Sequence, residues 1–261
     1  MRALSRLVFG LVVPAVGSGT VQHVERLTML LGQRLGIPVE ARDAASYAIL
    51  GDDVRAGRID LAWLPPIVFL NLGAIVRPLG CILRRGSAPY ASALVVPEHS
   101  PIVSVAQLRG TRAGWVERTS ASGYVLPHVG LLAQGIDPAR TFASETFHGS
   151  HRALMQALRA GHCDVAGTYA RADGTGRLGA GAWSELSDVR VRVVASFGEV
   201  PADVIAMRTV LAESASQSVF AAFRDVCRAE PALVEGIFGG EEIKEGLAPG
   251  YADLRDAVAS L

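Results

Sequence analysis

Two short segments of the chain combine hydroxyl, imidazole and glycine residues where a predicted strand gives way to a predicted helix. The first is Ser120-Ala-Ser-Gly-Tyr-Val-Leu-Pro127. Its hydroxyls, together with the unpaired N–H groups and positive dipole of a helix start, favour a bound oxyanion. Simple N-capping by Ser120 or Ser122 needs only one hydroxyl and stays open as the alternative. In either case Pro127 predicts a loose or kinked first turn.

The second segment is Phe147-His-Gly-Ser-His-Arg152, which opens another predicted helix. Glu145, His148 and His151 recur every three residues, a spacing that could align metal ligands on a helix. The glycine and serine between the two histidines favour a loop and a helix cap instead, so no metal is predicted. Ser122 could also pair with His151 as nucleophile and base, but the chain has no Gly-X-Ser-X-Gly nucleophile elbow.

Other potential cofactor and metal signals are weak. The turn Gly17-Ser-Gly19 lies between a predicted strand and helix, but Gln22 stands where a dinucleotide fingerprint has its third glycine. The three cysteines, Cys81, Cys163 and Cys227, are too far apart for a disulfide scaffold or a CxxC metal site. We therefore expect no cofactor.

Composition narrows the class of protein. The 261 residues include 25 basic and 25 acidic side chains, and 50% are hydrophobic. This balance excludes disorder and, without a basic run, argues against a nucleic-acid or membrane-surface binder. The apolar stretches fall short of the roughly 20 residues that span a bilayer. We expect a globular protein of one large or two medium domains.

The N-terminal apolar run, residues 7–13, is predicted to be a buried first strand rather than part of a signal peptide. A strand–turn–helix pattern follows it directly, and Ala-X-Ala cleavage chemistry and a lipobox cysteine are both missing after Val16. The sequence thus carries no convincing export signal, and the location of the protein stays open.

Strand-like and helix-like segments alternate along the chain, which predicts an α/β fold with parallel sheets and helices on both faces. Predicted strands cover residues 7–13, 39–42, 59–64, 93–96, 111–116, 164–169, 191–196 and 204–207. Predicted helices follow residue 19 and cover residues 47–56, 122–134, 151–160 and most of the last fifty residues.

One segment recurs. Arg55-Ala-Gly-Arg-Ile-Asp-Leu-Ala is repeated as Arg159-Ala-Gly-His-Cys-Asp-Val-Ala, 104 positions later. Each copy predicts a helix end, a glycine cap and an aspartate leading into a buried strand. Ordinary helix–strand loop chemistry is one explanation, and two similar α/β lobes in one chain is the other. Open α/β sheets bind ligands beyond the carboxyl ends of their strands, so two lobes would make a cleft.

Taken together, these residues resemble the substrate-binding proteins of phosphonate, phosphate and phosphite ABC importers. The block 120–127 followed by Gly149-Ser-His151 is the more specific part of the resemblance. The more generic parts are residues 9–14, 57–64, 89–92, 104–110, 135–138, 161–164 and 251–255.

The resemblance implies a two-lobed type II periplasmic-binding-protein fold with a ligand cleft between the lobes. Carried onto this chain, it places lobe 1 at residues 1–92 plus 206–261 and lobe 2 at 93–205, with hinge strands at about 91–97 and 200–207. It also implies a tetrahedral oxyanion held at the helix start of residues 120–123. The expected ligand-binding residues are Tyr47, Tyr90, Ser92, Ser120, Ala121, Ser122, Gly123 and His151.

Three positions depart from the family pattern. The usual threonine of the serine-rich loop is Ala121, the usual Tyr-Arg-Ser has Ala91 in the middle, and a Gly-Pro after the third strand is Pro65-Pro66. Each change removes a possible hydrogen-bond donor, worth roughly 1.5–3 kcal/mol to a charged ligand if it is used. Weaker binding, or a different anion, would follow.

The resemblance implies a non-enzymatic, monomeric solute-binding protein that closes on its ligand and serves an ABC permease. Two alternatives stay open. One is a soluble ligand-sensing module on the same fold. The other is a cytoplasmic enzyme of the same fold acting on a small carboxylated substrate, which turnover of such a substrate would reveal.

Overall fold

The computed structural model describes residues 4–13, 18–83, 90–173 and 175–259, and within those ranges it has twelve strands and nine α-helices. Gly17 of the predicted glycine turn and Pro89 of the resemblance lie outside them. The strands are β1 Leu7–Leu11, β2 Val39–Asp43, β3 Leu61–Leu64, β4 Val76–Leu83, β5 Tyr90–Pro97, β6 Arg112–Trp115, β7 Ser144–Phe147, β8 Val165–Ala172, β9 Leu178–Gly181, β10 Val191–Glu199, β11 Val204–Arg208 and β12 Glu242–Glu245. The helices are α1 Ser18–Leu35, α2 Tyr47–Arg55, α3 Pro66–Leu72, α4 Leu126–Ala133, α5 Pro138–Thr141, α6 His151–Arg159, α7 Glu213–Ala229, α8 Pro231–Phe238 and α9 Tyr251–Ala259.

The chain divides into two compact units, residues 1–87 with 202–249 and residues 88–201 with 250–261. These limits differ from the predicted lobe boundaries in three places. Strand β5 pairs with β8 and β10 from its first residues, so residues 90–92 lie in the second unit. Strand β11 pairs with β3 and β4, so it lies wholly in the first unit. Helix α9 packs against α4 and therefore belongs to the second unit.

Each unit contains one mixed sheet. The strand orders are β12-β4-β11-β3-β1-β2 and β10-β5-β8-β6-β7, with β9 added beside β8. The prediction of parallel sheets was right only for three strands of each, β2-β1-β3 and β7-β6-β8. The remaining pairs of both sheets are antiparallel, and antiparallel neighbours do not need the crossover connection that parallel strands require. Strand β12 also interrupts the C-terminal region that was predicted to be mostly helical.

The aspartate of the repeated segment makes the same two hydrogen bonds in both units. The backbone N–H of Asp60 donates to the Val8 carbonyl at 3.0 Å, and its carboxylate accepts from the Val8 N–H at 3.0 Å. Asp164 makes the same two bonds to Arg112, each 2.8 Å long. Each aspartate therefore fixes the strand that follows it, β3 or β8, against the parallel neighbour of that strand, β1 or β6.

The core of the first unit lies between its sheet and helices α1, α7 and α8, with Phe9, Leu27 and Phe223 fully buried at the centre. In the second unit one apolar cluster contains Leu154 and Met155 of α6, and another surrounds Trp115. The first strand, β1, is buried along its whole length, as the apolar run predicted. No helix within the described ranges is both long and apolar enough to cross a bilayer.

Candidate functional site

The serine-rich segment begins with a π-helical turn, Ala121–Val125, that leads into α4. Ser120 caps this turn, since its Oγ accepts from the Gly123 N–H at 3.1 Å. The first bond of the π turn runs from the Val125 N–H to the Ser120 carbonyl at 3.0 Å, so the N–H groups of Ala121 and Ser122 precede it. The capping interpretation is therefore confirmed for Ser120, and it leaves two backbone donors at the start of the turn.

The π turn accommodates Pro127, which cannot donate a backbone hydrogen bond. Proline has no N–H, so neither the Gly123 carbonyl (four residues back) nor the Ser122 carbonyl (five residues back) can receive a bond from it. Both carbonyls have other partners. The Val116 N–H donates to the Gly123 oxygen at 3.3 Å, and the Ser92 hydroxyl donates to the Ser122 oxygen at 2.9 Å. Of the two predicted forms, the structure therefore shows the loose one: a π turn whose freed carbonyls have partners outside the helix.

This arrangement gives Ser92 a different part from the one the resemblance implied. Ser92 is fully buried on β5, and its hydroxyl hydrogen goes to the Ser122 carbonyl. In this structure Ser92 therefore positions the helix start. The Gly123 N–H is likewise committed, since it donates to Ser120. Direct contact of either group with a ligand stays a prediction.

His151 is the first residue of α6, which Ser150 caps through a 3.1 Å bond from the Ala153 N–H. Its Nε2 lies 3.5 Å from the Oγ of Ser122, at the outer limit of a hydrogen bond. Two predicted ligand-binding residues, 29 positions apart in the chain, are thus brought together by α6 and the π turn.

Thr168 was not among the predicted ligand-binding residues. This residue lies on β8, is fully buried, and has its Oγ1 2.8 Å from Nδ1 of His151. The repeated segment held a signal for it. Continuing the repeat by the same 104 positions aligns Thr168 with Leu64, so a hydroxyl stands where the first unit has a buried aliphatic side chain.

The two tyrosines of the prediction lie in different units. Tyr90 is half-buried on β5 and packs edge-on against Tyr169, whose ring also packs edge-on against His151. Tyr47 is the first residue of α2 in the first unit. The structure thus brings Tyr90 near the His151 cluster through one intervening ring, whereas a part for Tyr47 stays a prediction.

The three residues of the possible metal-ligand spacing, Glu145, His148 and His151, do not converge on one point. Glu145 accepts from the Trp115 indole N–H at 2.7 Å and lies 3.1 Å from His128, whereas His148 pairs with Thr146 at 3.0 Å. The three residues of the predicted spacing therefore have separate partners. In the parts of the chain that the structure describes, no group of three His, Cys, Asp or Glu side chains is placed to hold a metal ion.

The Ser122–His151 contact also invites comparison with a hydrolase triad. In a triad a buried carboxylate orients the histidine and stabilises its charged form after it has taken the proton of the nucleophile. Here the third group is the neutral hydroxyl of Thr168, which cannot supply that charge. The geometry suits hydrogen-bond donation better than activation of a nucleophile.

A family model described as the periplasmic substrate-binding protein of phosphonate ABC transporters matches residues 11–243, most of the chain. The chain belongs to this family. Family members are non-enzymatic substrate-binding proteins that work with ABC transporters. The match covers the π turn, His151 and Thr168 together.

Individual relatives agree with this membership. The phosphate-import protein PhnD of Mycolicibacterium smegmatis is 28% identical over 166 residues, which cover 59% of this chain and 52% of that protein. The chain spans about half the length of the curated relatives it matches.

Two solved structures share the fold. A binding-protein component of an ABC phosphonate transporter from Pseudomonas aeruginosa superposes with a TM-score of 0.76 at 20% identity, covering 97% of this chain and 85% of that one. A Xanthomonas citri protein bound to ATP gives 0.76 at 21% identity, covering 98% of both chains. At identities this low, the superpositions show a shared fold and nothing more. They confirm the predicted α/β periplasmic-binding-protein fold.

Proposed function

We propose that this protein binds a phosphonate-, phosphite- or phosphate-like oxyanion at the π turn Ala121–Val125 and delivers it to an ABC-type importer. The observation that carries this proposal is the convergence of Ser122 and His151, whose Oγ and Nε2 atoms lie 3.5 Å apart beside the first N–H groups of the turn. Both side chains can donate hydrogen bonds to the same oxyanion.

The donors available there are neutral and numerous. Ser120 accepts from Gly123 and keeps its own hydroxyl hydrogen for a ligand, and the Ala121 and Ser122 N–H groups start the turn. The hydrogen bonds that the described residues make with the Ser120 and Ser122 side chains go to a backbone N–H and to His151, and none goes to a carboxylate. Neutral donors at a helix start hold an oxyanion without an arginine clamp.

The same arrangement can hold an anion although Ala121 stands where the family pattern has a threonine. An alanine at this position offers its N–H but no hydroxyl, and it is buried against the turn. The ligand then relies more heavily on Ser120, Ser122 and His151. We expect each of the last two to be worth a factor of about 10 to 100 in affinity, the usual range for one hydrogen bond to a charged group.

The test is isothermal titration of the purified protein against phosphate, phosphite, methylphosphonate and 2-aminoethylphosphonate. We expect saturable 1:1 binding of at least one of them. Ser122→Ala should weaken binding about 10-fold and His151→Ala about 10- to 100-fold. Ser122 is the better serine to change because Ser120 also caps the turn.

A matched control is available in the same unit. His162 is exposed and lies directly before buried Cys163, so His162→Ala removes an imidazole without touching the turn. This variant should bind as tightly as the wild type. Silence across the whole panel, from folded protein shown to be free of co-purified ligand, would refute the proposal.

A further inference from the structure

Thr168 and His151 form a close side-chain contact in the proposed site, with 2.8 Å between Oγ1 and Nδ1. The threonine is fully buried, and within the described residues His151 is the one hydrogen-bond partner shown for its hydroxyl. The contact therefore has to satisfy a buried O–H group as well as orient an imidazole ring.

Counting hydrogens decides its direction. If the ring carried its proton on Nδ1, that N–H would donate to Oγ1, and the threonine hydrogen would stay buried without an acceptor. If the threonine donates instead, Nδ1 accepts, and the proton of the neutral ring must lie on Nε2. Buried hydroxyl hydrogens are nearly always paired, so the second arrangement is favoured.

We infer that Thr168 is a positioning residue that holds His151 in the Nε2–H form, so that the ring presents a donor on its Ser122 side. The inference rests on the proposed function, because a donor at that atom is useful only if an acceptor binds there. The opposite form would present a lone pair to an oxyanion and repel it.

The matching positions in the first unit carry neither the threonine nor the histidine. Leu64, the residue aligned with Thr168, is fully buried and purely apolar, and the residue aligned with His151 is Tyr47. The hydroxyl and the imidazole thus occur together in the second unit, and neither occurs at the matching place in the first. If the Thr168 hydroxyl served only to fill space in the core, it would not need an imidazole beside it.

The direct test needs no substitution. Long-range ¹H–¹⁵N correlation spectra of the ligand-free, ¹⁵N-labelled protein at pH 8 report which ring nitrogen of His151 carries the proton. We expect the Nε2–H form. A ring protonated on Nδ1, or on both nitrogens, would overturn the inference.

Variants connect this state to binding. Thr168→Val removes the hydroxyl with little change of shape, and we expect it to lose the single Nε2–H signature and to bind the tightest anion of the panel about 10-fold more weakly. Thr168→Ser keeps the hydroxyl and should restore both. Unchanged spectra and affinity in Thr168→Val would contradict the inference.

Thr146 supplies the matched control, since its Oγ1 contacts Nε2 of His148 at 3.0 Å on the exposed strand β7. Thr146→Val removes another threonine–histidine contact, an exposed one outside the site, and should leave anion binding unchanged. Failure of the whole panel to bind, with His151 still in the Nε2–H form, would refute the proposed function and leave the assignment of the ring proton supported.

Discussion

The two units share one βαβ framework and differ in what they attach to it. In the first, Phe9 pairs with Leu61 across parallel strands, and in the second Ala113 pairs with Val165, each partner 104 positions further on. Ser46 and Ser150 cap the matching helices, α2 and α6. The register, the caps and the strand-fixing aspartates are thus the same.

The difference lies at the ends of the strands and the starts of the helices. Where the second unit has His151 and Thr168, the first has Tyr47 and Leu64. A framework of backbone bonds and buried apolar residues is therefore compatible with quite different side chains at these positions. It follows that substitutions can disturb the framework and the binding chemistry separately.

The largest effect is expected at Gly10 of β1 and Gly114 of β6, where these two matching strands pass closest to neighbouring side chains. A Cβ on Gly10 would lie 2.4 Å from Ile59, and a Cβ on Gly114 would lie 2.6 Å from Leu154 and 2.8 Å from Cys163. Gly10→Ala and Gly114→Ala should each lower the free energy of unfolding by about 2–3 kcal/mol, because overpacking forces neighbours to shift. Urea denaturation measures this.

Double-mutant cycles sharpen the comparison. Ile59 alone supplies the nearest contacts at Gly10, whereas two side chains share them at Gly114. We expect strong coupling between Gly10→Ala and Ile59→Ala, and weaker coupling between Gly114→Ala and Cys163→Ala. Additive effects in the first cycle would show that the framework relaxes more easily than the structure indicates.

A smaller effect is expected at the strand-fixing aspartates. Asp60→Ala and Asp164→Ala each leave a strand N–H without its carboxylate partner and should cost about 1–2 kcal/mol. A loss of stability in only one of the two variants would show that the two aspartates are not equivalent.

The second of these aspartates, Asp164, also predicts a pH dependence of stability. The hydrogen bond from Arg112 holds the pKa of Asp164 below its ordinary value. The unfolded chain then takes up a proton more readily than the folded one. The contribution of Asp164 is therefore present at neutral pH and is lost as the pH falls below about 5 and through the lower folded pKa. Urea unfolding between pH 7 and roughly pH 3 should show a shallower acid loss of stability in Asp164→Ala than in the wild type.

The smallest effect is expected at the two caps. Ser46→Ala and Ser150→Ala each remove the acceptor for one N–H in the first turn of a nine-residue helix, at a cost of about 1 kcal/mol or less. Thermal unfolding should show similar shifts for both. Ser150→Ala should also weaken anion binding slightly, because Ser150 directly precedes His151.

Much of this framework could be predicted from the sequence because it depends on local patterns. The apolar run of β1, the glycines after α2 and α6 and the repeated aspartates each indicate their structure within a few residues. Their positive φ angles, 73° at Gly57 and 72° at Gly161, are the backbone values that favour glycine.

Long-range contacts were less visible. Ser92 reaches the Ser122 carbonyl because β5 runs beside the π turn, and Thr168 reaches His151 because β8 lies against α6. Neither contact has a local sequence signature. The family resemblance led to the residues of the site, but the hydrogen-bond directions that distinguish a positioning residue from a ligand donor required the structure.

The strand order also sets the sequence of events during synthesis. Every strand of the second sheet lies between residues 90 and 199, whereas β11, which separates β3 from β4 in the first sheet, ends at Arg208. A ribosome therefore releases the whole second sheet before the first can close. Although the first unit contains the N-terminus, its sheet is the later of the two to be completed, and β4 must wait for a partner more than one hundred residues downstream.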